Sequence, residues 1–201
     1  MTPLGVDLEL FKPPAMRADH VGIQILFVGQ LTQRKGLSYL LDGFRRAGIP
    51  GSELVLVGRP VGNALDLVHK TPGVRHVAHM PRWLLPAAYA AADVYVLPSL
   101  VEGFPLTALE AMACGLPVIV SENTFGRDVV TDQADGYVVP IRDSAAIAER
   151  LQQLADDPMV RRRVGNAATI RARDFSWLHY GRRVANSIGN VLESGWPGAT
   201  T

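Results

Sequence analysis

The sequence predicts a doubly wound parallel α/β domain of Rossmann-like architecture, and three observations carry that prediction. Short apolar or β-branched runs recur at Ile23–Gly29, Leu54–Gly58, Arg75–Ala78, Val94–Pro98, Pro117–Ser121 and Tyr137–Pro140. They are largely apolar throughout rather than alternating, as strands covered on both faces must be. Segments of helical period lie between most of them, so successive strands are joined by crossovers and pair in parallel.

The elements follow in order. Ile23–Gly29 is the first strand and Leu37–Arg46 the helix that returns the chain. Leu54–Gly58 and Leu65–Lys70 repeat the unit, then Arg75–Ala78 with Leu84–Ala92, then Val94–Pro98 with Pro105–Ala113. Pro105 suits the first helical position, where the missing N–H costs nothing. Pro117–Ser121 is followed by a weaker helical segment at Asp128–Ala134, and Tyr137–Pro140 is the last strand. Beyond it the pattern is helical only. Ser144–Ala155 starts at an Asp/Ser cap and stops before Pro158, and Val160–Arg173 and Trp177–Leu192 follow, the last with Ser176 as N-cap. The pair Asp156-Asp157 reads as a helix end, and residues 195–201 as a frayed tail.

Composition sets the class. The chain has 201 residues, 48% hydrophobic and 19% charged, with a net charge of +1. Those values fit one globular domain with C-terminal helices and give no case for a nucleic-acid partner. The single cysteine, Cys114, allows neither a disulfide framework nor a thiolate metal site and is expected to pack. No apolar run approaches membrane-spanning length and Met1 is followed by no signal-peptide pattern, so the expected location is cytoplasmic.

In an open parallel sheet, ligands bind at the carboxyl ends of the strands. Five loops are expected there: Gly29 to Gly36, Gly58-Arg59-Pro60, His79-Met80-Pro81, Ser99 to Pro105, and Glu122 to Gly126. Arg34 and Lys35, between Gly29 and Gly36, set cations beside flexible backbone, a fit for a phosphate or for a solvated helix start. Gly103-Phe104-Pro105 opens a helix, which on geometry alone reads first as an ordinary capped helix and otherwise as one whose free N–H groups face an anion. Glu102 sits in a Gly/Pro-marked turn, and Glu110 lies in an apolar helix where a carboxylate needs a partner. The two acids could act as general acid and base, as metal ligands or as acceptors for sugar hydroxyls. No third ligand stands at metal spacing, no partnered nucleophile is present, and no Gly-x-Gly-x-x-Gly follows a strand. Hydroxyl-accepting carboxylates beside a phosphate cradle leave a nucleotide sugar as the best ligand.

The runs GxLxxRKGLxxLL, LVLVG, AYAAADVYVLPSLVEGFPLTALEAMACGLPVIVSEN and DGYVVPIRD resemble the donor-binding half of retaining GT-B glycosyltransferases of the family-4 type. The resemblance runs from about Gly5 to Leu192. It implies a UDP-, GDP- or ADP-sugar as substrate, no cofactor and no catalytic metal. It implies that Glu102 accepts from the donor sugar, that Gly103, Phe104, Pro105, Leu106 and Thr107 line the sugar and diphosphate, and that Glu110 binds the ribose. Lys35 matches the family's lysine beside the leaving diphosphate. Gln30 stands where that family usually has arginine, with Arg34 the nearest substitute, and Gly29 and Gly58 border the same space. His79 and Met80 correspond to the base-binding loop, and Phe125-Gly126 to the family's Gly-Gly pair. Catalysis is thus expected of Lys35, Glu102 and Arg34, with retention by front-face attack and no protein nucleophile.

The opening residues resemble the family's inter-domain stretch NGVDxxxFxP. The expected organisation is a linker remnant at 1–20, the nucleotide-sugar domain at 21–175, a crossover helix at 176–194 and the tail. An acceptor-binding domain, in cis or in trans, is the expected partner, and Trp177, Tyr180 and Ile188 would lose cover or repack without it. Hexosyl transfer to a saccharide or lipid-linked acceptor is implied, with peripheral association of the full protein at the inner membrane face. A non-catalytic nucleotide-sugar-binding subunit and a nucleotide-sugar 2-epimerase-like domain are the alternatives.

Overall fold

The computed structural model describes residues 4–17, 21–124 and 129–194. Six parallel strands form one sheet in the order β3-β2-β1-β4-β5-β6. They are β1 (Gln24–Val28), β2 (Glu53–Val57), β3 (Val74–Val77), β4 (Val94–Leu97), β5 (Val118–Ser121) and β6 (Tyr137–Val139). Every residue of β4 and β5 is buried, which explains why these strands show no alternation in sequence. The expected Rossmann-like fold is the observed one.

Seven α-helices complete the described chain: α1 (Leu37–Ala47), α2 (Ala64–His69), α3 (Leu85–Ala91), α4 (Leu106–Ala113), α5 (Ser144–Asp156), α6 (Pro158–Ala172) and α7 (Trp177–Ser194). Helix α1 packs on α5 and α4 on α6. The helix ends follow the sequence. Asp143 accepts from the Ala146 N–H at 2.9 Å, and Asp157 from those of Met159 and Val160, each at 2.9 Å. Ser176 Oγ accepts from the His179 N–H at 3.2 Å. Pro105 is not the first helical residue but the extended residue before it, with ψ of 103°.

The expected helix at Asp128–Ala134 is a correction. Asp128 lies outside the described residues, and from Val130 the chain is not helical. Gln133 takes a φ of 64°, Asp135 Oδ1 accepts from the Thr131 N–H at 2.8 Å, and Asp132 Oδ1 from that of Val138 at 2.9 Å. The two aspartates thus hold a turn through side-chain-to-backbone bonds, one within it and one to Val138 in β6. The Phe125-Gly126 pair also lies outside the described residues.

Ahead of β1, Val6, Phe11 and Arg17 fasten the chain to the domain. The Val6 N–H donates to Phe175 O at 2.8 Å, and Phe11 is fully buried. The Arg17 guanidinium donates to Ala92 O, to Cys114 O at 2.8 Å and to Gly115 O at 3.1 Å. A cation there meets the negative ends of α3 and α4 together. Helix α7 keeps Trp177 45% and Ile188 57% exposed, while Tyr180 is half-buried edge-on against Trp177. Among the described residues, no helix is long and apolar enough to cross a membrane.

Strand order reverses at β1 and β4, which pair with Ile25 beside Val94 and Leu26 beside Tyr95. Crossovers leave these two neighbours in opposite directions, so a crevice opens above their carboxyl ends.

Candidate functional site

The loops after β2, β1, β4 and β5 are tied together in that order. The Leu31 N–H donates to Arg59 O at 2.9 Å and the Val61 N–H to Leu31 O at 3.2 Å, joining the loops after β1 and β2. Gly58, with φ of 146°, allows this approach: a Cβ there would lie 1.9 Å from Gly29 O. The loops after β1 and β4 meet where the Leu100 N–H donates to Arg34 O at 2.8 Å. Those after β4 and β5 meet through the Glu102 N–H on Asn123 O and Asn123 Nδ2 on Leu100 O, each at 3.3 Å.

Lys35 and Glu102 are brought into direct contact, Nζ on Oε2, with both side chains largely buried. Lys35 closes a short 3-10 turn, Gln33–Lys35, whose N-cap Thr32 accepts its N–H at 3.3 Å. Arg34 Nη1 stands 4.0 Å from Glu102 Oε1 but is more than half exposed, so it adds a screened charge rather than a fixed contact. Gln30 is exposed at the start of the same loop. Nothing within 4 Å would obstruct a Cβ on Gly103, so the backbone beside Glu102 borders open space. The first turn of α4 has no side-chain cap; the Ala108 N–H donates to Pro105 O at 3.2 Å, which leaves those of Leu106 and Thr107 to a ligand or to water.

Glu110 sits on α4, only 4% exposed. Its Oε2 accepts from the Tyr89 hydroxyl at 3.0 Å, and its Oε1 is 3.7 Å from Arg82 Nη1. Thr107 Oγ1 accepts from the Tyr95 hydroxyl at 2.8 Å, and Tyr89 also lies 3.1 Å from Thr107 O. Met80 is partly buried against the core, and His79 is exposed beside it. Burial pushes the Cys114 thiol up to about 12, which leaves it no thiolate for nucleophilic work near neutral pH. Among the described residues, no three His, Cys, Asp or Glu side chains cluster to hold a metal ion.

The structure therefore joins Arg34, Lys35 and Glu102 at one edge of α4 and sets Thr107 and Glu110 along the helix. The sequence reading missed Arg82, Tyr89, Tyr95 and Phe11. A signal was available for the tyrosines: a phenol in a buried apolar run needs a partner for its hydroxyl.

The family described as "Glycosyl transferases group 1" has a sequence model that matches residues 13–171. The chain belongs to this family. It is 34% identical over 211 residues to the D-inositol 3-phosphate glycosyltransferase of Frankia alni, covering 94% of this chain and 52% of that protein. Sucrose-phosphate synthase from Thermosynechococcus elongatus superposes with a TM-score of 0.85 at 30% identity, over 96% of this chain and 53% of the synthase. The C-terminal domain of a group 1 glycosyl transferase from Francisella tularensis shares the fold, with a TM-score of 0.73 at 24% identity over 84% of this chain and 97% of that domain. The chain spans about half the length of the curated relatives it matches.

In this group 1 glycosyl transferase chain, Glu110 costs stability. Burial holds its carboxyl above the usual carboxylate range, and the Tyr89 hydroxyl and Arg82 cation offset only part of that. The folded chain therefore keeps the proton at pH values where the unfolded chain has lost it. Stability from this group falls as pH rises from the ordinary carboxyl range through the raised one. Glu110→Gln is expected to make denaturant stability fall less steeply than in the wild type as pH rises above the ordinary carboxyl range. An identical slope in both proteins would contradict the assignment.

Proposed function

We propose that this chain is the nucleotide-sugar-binding domain of a retaining, family-4 type glycosyltransferase of the GT-B fold, acting in hexosyl transfer to a saccharide or lipid-linked acceptor. The observation that carries the proposal is the Lys35–Glu102 contact above the β1/β4 reversal, with the buried Glu110 on the helix that starts beside it. A cation, an open N-terminal turn and two carboxylates in that order suit the diphosphate, sugar and ribose of one donor molecule.

In this reading Lys35 and the N–H groups of Gly103, Phe104 and Leu106, with Pro105 between them, stabilise the departing diphosphate. Glu102 exchanges Lys35 for sugar hydroxyls, and Glu110 accepts from the ribose. Gly29, Gln30 and Gly58 border the phosphates, and His79 and Met80 border the base through their backbone. Neither carboxylate is asked to form a covalent bond. Gln30 in the first loop leaves one fixed cation fewer at the diphosphate, which favours a second reading, a nucleotide-sugar-binding subunit without transfer activity of its own. Reconstitution with the remainder of the protein separates the two: hexosyl transfer supports the enzyme, and donor binding without transfer the subunit.

The direct test is a thermal-shift panel of UDP, GDP, ADP and their sugars. A true ligand at a hundred times its dissociation constant adds about 2.7 kcal/mol of stability. No shift with any member of the panel would overturn the proposal.

A further inference from the structure

We infer that Phe11 is a positioning residue for Glu110, and that residues Val6–Phe11 form a strap linking the start of α7 to that carboxylate. The two oxygens of the Glu110 carboxylate face different partners, the Tyr89 hydroxyl at 3.0 Å and the Arg82 guanidinium at 3.7 Å. Both partners rest on the same ring. Phe11 meets Tyr89 edge-on, with centroids 5.8 Å apart and planes at 80°, and Arg82 Cζ lies 5.4 Å from the Phe11 centroid. Those are the geometries that attract an aromatic edge and a cation to a ring.

The ring matters because neither partner is fixed by its polar contact alone. Tyr89 has one proton and two acceptors in reach, Glu110 Oε2 and Thr107 O at 3.1 Å. Arg82 is more than half exposed and would otherwise sample solvent. Packing on Phe11 selects the position of each, and so the direction in which the carboxylate offers its remaining lone pairs. The strap holds Phe11 in turn. Asp7 Oδ1 accepts from the Glu9 and Leu10 N–H groups at 3.1 Å, and the Phe11 N–H donates to Asp7 O at 2.9 Å. One residue earlier, the Val6 N–H donates to Phe175 O at 2.8 Å, beside the start of α7.

The charge environment of Glu110 makes the link measurable. Arg82 ahead of α3 and Tyr89 on α3 favour its ionised form, against burial. Tyr95 on β4 and Cys114 at the end of α4 also face it, both neutral. Loss of Phe11 frees Arg82 and Tyr89 together, so the carboxyl must titrate higher.

The test is a 13C carboxyl NMR titration on the chain as it stands, with the Glu110 signal assigned by its loss in Glu110→Gln. Phe11→Leu and Arg82→Gln are expected to move the Glu110 midpoint upward. Phe44→Leu, an equally apolar loss on α1, is expected to leave it in place. Asp7→Ala loosens the strap without opening the core and is expected to shift it in the same direction as Phe11→Leu. A midpoint unchanged in both Phe11→Leu and Asp7→Ala overturns the inference, and should Phe11→Leu not fold, Asp7→Ala alone decides. A second arm rests on the proposed function: affinity for UDP, GDP or ADP relative to its 2′,3′-dideoxy form should drop about three- to tenfold in Phe11→Leu. If the wild type binds no nucleotide, the proposed function fails, while the titration still decides the role of Phe11.

Discussion

Gly36→Ala is expected to remove about 3–5 kcal/mol of folding stability and to abolish nucleotide binding at any concentration that saturates the wild type. Gly36 has φ of 76°, and a Cβ there would lie 2.0 Å from Pro98 O, a backbone atom that cannot rotate away. The position also does three jobs at once. Its N–H donates to Gln33 O at 2.9 Å and ends the turn carrying Arg34 and Lys35, and its carbonyl accepts the Leu40 N–H at 2.9 Å and starts α1. Its closeness to Pro98 keeps that turn against the end of β4. Adding a methyl group forces the cation loop off the acid loop, so Lys35 and Glu102 lose their register with each other. Urea denaturation reads the stability and the thermal shift with nucleotide reads the site. A folded variant with wild-type stability would show that the two loops do not need this approach.

Lys35→Ala carries the largest expected effect on ligand affinity with the fold left intact. A charge-assisted hydrogen bond is worth about 1.5–3 kcal/mol, which corresponds to roughly 10- to 100-fold in dissociation constant. The upper end is expected, because the substitution also strips Glu102 of its cation and leaves an unpaired carboxylate beside a diphosphate. At a ligand concentration that stabilises the wild type by about 2.7 kcal/mol, the variant should gain only about 0.4 kcal/mol. Lys70→Ala, an exposed cation after α2, serves as the control. An undiminished thermal shift in Lys35→Ala would remove Lys35 from the diphosphate site and with it the core of the proposed function.

Much of this was legible in the sequence because the strands are apolar throughout. Val94–Leu97 and Val118–Ser121 announce burial on both faces, and that alone requires a parallel sheet with helical crossovers. Glycine and acid placement at the strand ends then marked Lys35, Glu102 and Glu110. Element ends such as Pro105 shifted by one residue, since a proline fits both sides of a helix start. The segment after Val129 misled because its composition suits a helix, while Asp132 and Asp135 reach backbone donors only once the turn has formed.

By itself, then, the sequence determined the parallel α/β class, the helix caps and the two ends of the candidate site, all of which are read from neighbours within a few residues. Only the tertiary structure decided what touches those ends. Lys35 meets Glu102 across 67 positions of sequence, and Tyr89 reaches Glu110 across 21. Phe11 supports both Tyr89 and Arg82 from a segment that looked like a mere connection. Periodicity carries no information about such pairings, because they are set by strand order and by which side chains the closed sheet leaves facing one another.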